Sequence, residues 1–153
     1  MKKICIALDY NPNSEKIAAI GHAYARALRA ETILVHVISE AAFYAMEYEP
    51  FMGYDSPFHL NNLDMVKELE QGAENFLLAA SLHLGTDGIK TQVLEGETSD
   101  AILSFCRENR VDLLVIGTHS HSVLENVLMG NTAVKIVRHT GIPLLVVPTK
   151  MEG

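Results

Sequence analysis

Residues 112–133 read DLLVIGTHSHSVLENVLMGNTA, an apolar run followed by a polar stretch between two glycines. The run DLLVIG (112–117) is apolar from residue 113 onward, which is typical of a strand in a parallel sheet that is covered on both faces. A helical pattern over about 130–139 follows the second glycine. A strand, a glycine-bracketed loop and a helix in this order indicate one unit of an α/β fold.

The same kind of apolar run recurs along the chain and alternates with helical patterns. Strands are predicted at 4–8 (ICIAL), 32–38 (TILVHVI), 89–94 (IKTQVL), 112–117 and 143–148 (PLLVVP). Helices are predicted at 14–29, 62–84, 99–109 and about 130–139. Asn13 or Ser14 would cap the first helix, and Thr98 or Ser99 the third. This alternation predicts right-handed crossovers and a doubly wound parallel sheet with helices on both faces.

The composition favours one compact domain, which we assign to residues 1–150. The chain has 153 residues, 48% of them hydrophobic, and a formal net charge of −7. That length can bury a proper core, and the acidic charge argues against a nucleic-acid partner. The run 4–8 is too short for a signal peptide, and no stretch of about 18 apolar residues predicts a membrane helix. We therefore expect a cytoplasmic protein without a membrane segment.

A long connection, residues 39–61, interrupts the alternation. It contains six of the chain's ten Phe and Tyr residues: Phe43, Tyr44, Tyr48, Phe51, Tyr54 and Phe58. One interpretation is that these aromatic residues cover the upper edge of the sheet. The other is that they form a lid over a ligand or a flap that binds a partner, since long connections are often functional.

The polar residues that end two of the strands predict a ligand site. In an open α/β sheet, ligands bind beyond the carboxyl ends of the strands, where the strand order reverses. Asp9 follows the first strand and the loop 117–132 follows the fourth, so neighbouring strands would place both in one crevice. Unpaired N–H groups at the start of the last helix favour an anion, and nearby hydroxyl and amide groups add donors. The alternatives are an ordinary glycine turn and an Asp9 that only caps the turn after it.

Several other kinds of site are not supported. The sequence contains no GxxxxGK[ST], GxGxxG or GxSxG motif and no recognisable pair of nucleophile and base, so no catalytic residue is assigned. His119 and His121 could supply two metal ligands, but no third is identifiable, and no metal site is predicted. His36 is interpreted as a hydrogen-bonded strand histidine, and Cys5 as a small buried hydrophobe.

The order of elements, Asp9, the LVHV run and the glycine-bracketed loop together resemble the universal stress protein family. The resemblance extends from KKICIALD to PLLVVPTK, essentially the whole chain. It implies a Rossmann-like, open five-stranded parallel sheet in the order 3-2-1-4-5. It also implies a homodimer formed through the last strand, residues 143–148, which two prolines bracket.

Members of this family that bind ATP carry G-x-x-G, nine residues, and then G-S or G-T. Here Gly117 and Gly130 have the required separation, whereas Ser120 and Asn131 replace the second glycine and the final Ser or Thr. The resemblance places Asp9 at the ribose, with the backbone of Val37 at the adenine. The remaining implied contacts are Ala7 and Leu8 on the approach, Ile116 and Gly117 beneath the ribose, and Ser120, Gly130, Asn131 and Thr132 at the phosphates.

Two functions are therefore open. The first is an ATP-binding regulatory protein of the stress response, with or without Mg²⁺ and with at most slow hydrolysis. The second is an interaction protein of the same type that binds no nucleotide and acts through dimerisation and an unidentified protein partner.

Overall fold

The computed structural model describes residues 2–39, 58–85, 87–118 and 129–149, and the side chains of the second range from residue 65 onward. The strands are β1 (Lys3–Ala7), β2 (Glu31–Ser39), β3 (Lys90–Gly96), β4 (Leu113–Gly117) and β5 (Leu144–Val147). The helices are α1 (Ser14–Leu28), α2 (Phe58–His83), α3 (Thr98–Glu108) and α4 (Asn131–His139). None of these helices combines the length and apolar character needed to cross a membrane.

The five strands form one sheet in the order β3-β2-β1-β4-β5, and every pair of neighbours is parallel. Ile6 of β1 lies between Leu34 of β2 and Val115 of β4. The predicted fold class is therefore confirmed. Because the chain leaves β1 first toward β2 and later reaches β4 on the other side, the strand order reverses between β1 and β4.

Helices cover both faces of the sheet because successive strand residues point to opposite sides. On one face, Ile6 and Leu34 pack with Ile17 of α1 and Leu77 of α2. On the other, Leu114 and Ile116 pack with residues of α3 and α4 such as Ile102 and Ile136. These side chains are almost entirely buried. Two-sided burial explains why the central strands are apolar at nearly every position.

The cysteines belong to the second of these cores. Cys5 is 0% exposed and Cys106 2% exposed, and both are free thiols. Their mutual hydrogen bond raises the pKa of Cys5, and burial raises it further. A thiol that stays protonated in an apolar environment is unreactive, so the interpretation of Cys5 as a small core residue is confirmed.

Predictions for the starts of three helices differ from the structure. Helix α2 begins at Phe58, so residues 58–61 of the predicted connection are helical, while 40–57 lie outside the described residues. Asn13 does precede α1, but its side chain makes no capping bond and donates instead to the Thr149 carbonyl oxygen at 3.0 Å. Glu97, neither Thr98 nor Ser99, caps α3. The usual preference for Ser and Thr at this position misled the prediction.

Candidate functional site

A cavity of about 210 Å³ opens at the carboxyl ends of β1, β2 and β4. Its walls include the first turns of α3 and α4, through Thr98 and Thr132. Seven of the residues predicted for the site line this cavity: Ala7, Leu8, Asp9, Val37, Ile116, Gly117 and Thr132. The crevice expected between Asp9 and the ends of the 117–132 loop is therefore present in the structure.

The other predicted residues lie differently. Gly130 and Asn131 form the start of α4 and are not part of the cavity lining. Ser120 lies outside the described residues, as do Ser122, His119 and His121. The sequence analysis predicted neither Thr98 nor the β2 residues Val35, His36 and Ser39, which also line the cavity. The β2 residues could have been predicted from their place at the carboxyl end of a central strand.

Asp9 caps the turn after β1 and also lines the cavity. Its Oδ1 accepts hydrogen bonds from the Asn11 N–H at 3.2 Å and from the Ser14 hydroxyl at 3.3 Å. The Ser14 hydroxyl also donates to the Asp9 carbonyl oxygen. The carboxylate thus fixes the turn between β1 and α1 while it lines the cavity. These bonds hold an acidic group in a defined position at the site.

Gly117 is required for packing. A Cβ at this position would lie 2.5 Å from Ile17 Cδ1 and 2.8 Å from Thr149 Cγ2, closer than side-chain carbons approach one another. The absence of a side chain therefore lets the end of β4 pass between α1 and the segment that follows β5.

Gly130 has a different role. Its backbone is extended, with φ −71° and ψ 165°, a conformation that any residue adopts. The backbone conformation at this position therefore does not require a glycine. What the glycine does is leave the start of α4 without a side-chain cap. The first N–H groups of an α-helix have no partner within the helix, and together with the helix dipole they attract an anion.

Thr118 holds the two ends of the loop together. Its N–H donates to the Val147 carbonyl oxygen at 3.1 Å, and its own carbonyl oxygen accepts from the Gly130 N–H at 2.7 Å. Its hydroxyl oxygen accepts from the Thr149 N–H at 3.0 Å and lies 3.0 Å from the Thr149 hydroxyl. The structure shows that Thr118 anchors the start of α4 to β4 and to the segment after β5.

The start of α3 is closed by its own chain. The Glu97 carboxylate accepts from the Asp100 N–H at 2.8 Å and from the Ser99 hydroxyl at 2.7 Å, and Lys135 of α4 lies 3.5 Å away. Burial raises the pKa of Glu97, but the bonds from Ser99 and Asp100 and the nearby Lys135 outweigh it and lower the pKa to about 2. Glu97 therefore occupies the anion position at this helix.

The interpretation of His36 as a hydrogen-bonded strand histidine is confirmed. Its Nδ1 lies 2.8 Å from the Leu8 carbonyl oxygen, which can only accept, so Nδ1 carries a proton. Its ring also packs against Tyr10 and Phe76, with centroid distances of 4.4 and 5.6 Å. The described residues contain no group of three or more His, Cys, Asp or Glu side chains that could hold a metal ion.

This arrangement defines an α/β domain of the Rossmann-like class, with a cavity at the point where the strand order reverses. The sequence model of the universal stress protein family matches residues 1–148. The chain belongs to the universal stress protein family.

Curated relatives agree with this assignment. Universal stress protein C of Salmonella typhimurium is 26% identical over 145 residues, which cover 95% of this chain and 94% of the relative. Universal stress protein MJ0531 of Methanocaldococcus jannaschii is 28% identical, covering 95% of this chain and 81% of the relative. Universal stress protein Slr1230 of Synechocystis is 31% identical over 60% of this chain, and the match spans only 32% of that longer protein.

Solved structures share the fold. The hypothetical protein MJ0577 is 22% identical with a TM-score of 0.76, covering 99% of this chain and 98% of its own. A universal stress protein in complex with cAMP is 19% identical with a TM-score of 0.61, covering 97% and 98%. The Archaeoglobus fulgidus universal stress protein in complex with dAMP is 15% identical with a TM-score of 0.57, covering 95% and 97%.

Proposed function

We propose that this chain is a cytoplasmic regulatory protein of the stress response that binds an adenine nucleotide, with ATP as the nucleotide that the family resemblance implies. The observation that carries the proposal is the cavity at the carboxyl ends of β1, β2 and β4, next to the uncapped start of α4. An apolar wall suits a base and ribose, and free helix N–H groups suit a phosphate.

The chemistry of the lining supports this ligand. Val35, Val37 and Ile116 form apolar surface, while the Asp9 carboxylate can accept hydrogen bonds from ribose hydroxyls. Relatives of the same fold have been solved with cAMP and dAMP, which are adenine nucleotides. Asn131 and Thr132 at the start of α4, and Ser120, stay predicted phosphate contacts.

Mg²⁺ would enter together with the nucleotide. This ion prefers oxygen ligands and is usually bound by one or two carboxylates together with substrate phosphates. Asp9 is a carboxylate that lines the cavity, so the donor set fits an ion that is shared with the phosphates. Any hydrolysis of ATP at this site is expected to be slow, and we assign no catalytic residue.

Titration calorimetry of the purified protein with ATP, with and without Mg²⁺, tests the proposal. We expect saturable binding, and labelling by 8-azidoadenosine nucleotide of peptides that contain residues 7–9, 35–39 or 116–117. Heat that does not saturate at millimolar ATP and millimolar AMP, together with labelling that excess nucleotide does not compete away, would rule out a nucleotide site.

The edge strand β5 favours the second function, an interaction protein that acts as a homodimer. β5 pairs only with β4 in the described sheet, and Leu144, Leu145 and Val146 are partly buried. An apolar edge of this kind is a template for pairing with a second copy. We propose a homodimer through residues 143–148, with further protein partners unidentified.

Sedimentation velocity tests this interface. Val146→Lys should convert a dimer into a monomer because it buries a charge at the proposed contact. Val137→Lys, on an exposed position of α4, is the matched control and should leave the dimer intact. A dimer that survives Val146→Lys contradicts this interface, and a wild-type dimer that binds no nucleotide would favour the second function over the first.

A further inference from the structure

The charge of the candidate site bears on how many phosphates its ligand carries. Among the described residues that line the cavity, the charged side chain is Asp9, which is acidic. The imidazole of His36 is bonded to the Leu8 carbonyl oxygen and packed between two aromatic rings. These walls therefore supply no fixed positive charge to a phosphate chain.

The adjoining sequence does not supply one either. From residue 111 to residue 134 the chain contains no Lys or Arg, but it does contain Asp112 and Glu125. The segment 40–57, between β2 and α2, also has no Lys or Arg and has four acidic residues: Glu40, Glu47, Glu49 and Asp55. These counts come from the sequence, so the lack of Lys and Arg does not depend on where the residues outside the described ranges lie.

Two lysines on helices that border the site, Lys16 of α1 and Lys135 of α4, have other partners. Lys16 Nζ donates to the Pro148 carbonyl oxygen at 3.0 Å. Lys135 Nζ lies 3.5 Å from Glu97 Oε1, where it offsets the charge of the α3 cap. Lys150 follows Thr149 and lies outside the described residues. A Lys150→Ala variant therefore tests whether it contributes a charge to the site.

A phosphate at this site would depend on the N–H groups that begin α4 and on the helix dipole. That dipole is equivalent to about half an elementary charge. It matches a ligand with one phosphate, whereas triphosphate sites add a lysine, an arginine or a metal ion to backbone N–H groups. Each further phosphate here would add charge opposite Asp9 with no cation to offset it.

We propose that the cavity selects adenine nucleotides with a single phosphate, AMP or cyclic AMP, over ATP. This inference rests on the proposed nucleotide-binding function and narrows its ligand. Repulsion between the additional phosphates and the Asp9 carboxylate should make metal-free ATP bind about three- to tenfold more weakly than AMP.

Calorimetric dissociation constants for AMP, cyclic AMP and ATP test the inference. They are measured in EDTA at pH 8, above the ordinary pKa of a histidine side chain, and at low and high salt. We expect AMP or cyclic AMP to bind at least threefold more tightly than ATP, with a difference that shrinks as salt rises. ATP that binds as tightly as AMP or more tightly, in EDTA, overturns the inference and leaves the proposed function intact. Failure of all three nucleotides to bind overturns both.

Two variants locate the origin of the preference. Asn131→Lys adds a cation at the exposed start of α4 and should improve ATP binding several-fold more than AMP binding. Val137→Lys adds the same charge farther along α4 and should leave the ATP-to-AMP ratio unchanged. Lys150→Ala should also leave the ratio unchanged. A selective loss of ATP binding in Lys150→Ala would show that the site has a cation, which contradicts the inference.

Discussion

The starts of α3 and α4 lie side by side on one face of the sheet, but a side chain caps α3 and none caps α4. Each contributes a threonine, Thr98 or Thr132, to the wall of the same cavity. At α3, the Glu97 carboxylate accepts from the Asp100 N–H, and Lys135 lies close to it. At α4, the preceding residue is Gly130, which has no side chain to accept anything.

The comparison shows that the residue before a helix determines whether the helix start is capped by a side chain. Both helices have a positive dipole end, so the dipole alone does not distinguish them. Glu97 brings its own negative charge and would repel an incoming phosphate. Gly130 leaves the N–H groups of α4 available, and Thr118 holds them at the cavity. The proposed phosphate site therefore lies at the start of α4 and not at the start of α3.

The largest loss of stability is expected at Thr118, which anchors the uncapped start of α4. Thr118→Val removes the hydroxyl that accepts a hydrogen bond from the Thr149 N–H. Because Thr149 is only 2% exposed, water has little access to replace this acceptor. Loss of a buried hydrogen-bond acceptor costs about 1–3 kcal/mol in the free energy of unfolding, measured by urea denaturation. Thr118→Ser keeps the hydroxyl and should lose much less. Equal losses in the two variants would mean that the hydroxyl does not anchor this segment.

A smaller loss of stability is expected when the Glu97 cap at the start of α3 is removed. Glu97→Ala removes the side-chain cap of α3 and should lower the free energy of unfolding by about 1 kcal/mol. Glu108→Ala, at the other end of the same helix, removes the same charge where the dipole disfavours it and should cost nothing. If Glu108→Ala costs as much as Glu97→Ala, the cap is not what stabilises α3.

The smallest effect is the pH dependence of this cap. The folded-state pKa of Glu97, about 2, lies below its ordinary value of 4.5. A lowered pKa means that the stabilisation is fully present above about pH 5 and is lost as pH falls from 4.5 toward 2. The stability difference between wild type and Glu97→Gln should therefore be constant from pH 7 to 5 and should narrow by pH 3. A difference that widens on acidification would contradict this assignment.

The sequence allowed the sheet to be predicted well because its strands are buried on both faces. Runs such as 32–38 and 112–117 are mostly apolar, and the structure places both beside β1. The strand order followed from the family resemblance, since apolar runs do not reveal which neighbours they pair with. The start of α2 was placed four residues late, at 62 instead of Phe58.

The site was harder to predict because cap and loop contacts depend on distant parts of the chain. Asn13 or Ser14 was expected to cap α1, but the Asn13 amide donates to the Thr149 carbonyl oxygen, which is far away in sequence. Glu97 was overlooked because Thr98 and Ser99 follow it and are commoner caps. Gly130 stays a predicted phosphate contact, and the structure adds that its backbone is extended and that it gives α4 no side-chain cap.

The central claim is that the uncapped start of α4 binds the phosphate of an adenine nucleotide. It is tested most directly by comparing Gly130→Asp with Gly130→Asn. Both side chains are good helix caps of the same shape, so both proteins should fold with similar stability, and they differ only in charge. The account predicts that AMP binds at least tenfold more weakly to Gly130→Asp than to Gly130→Asn in titration calorimetry. Equal affinities for the two variants would contradict it.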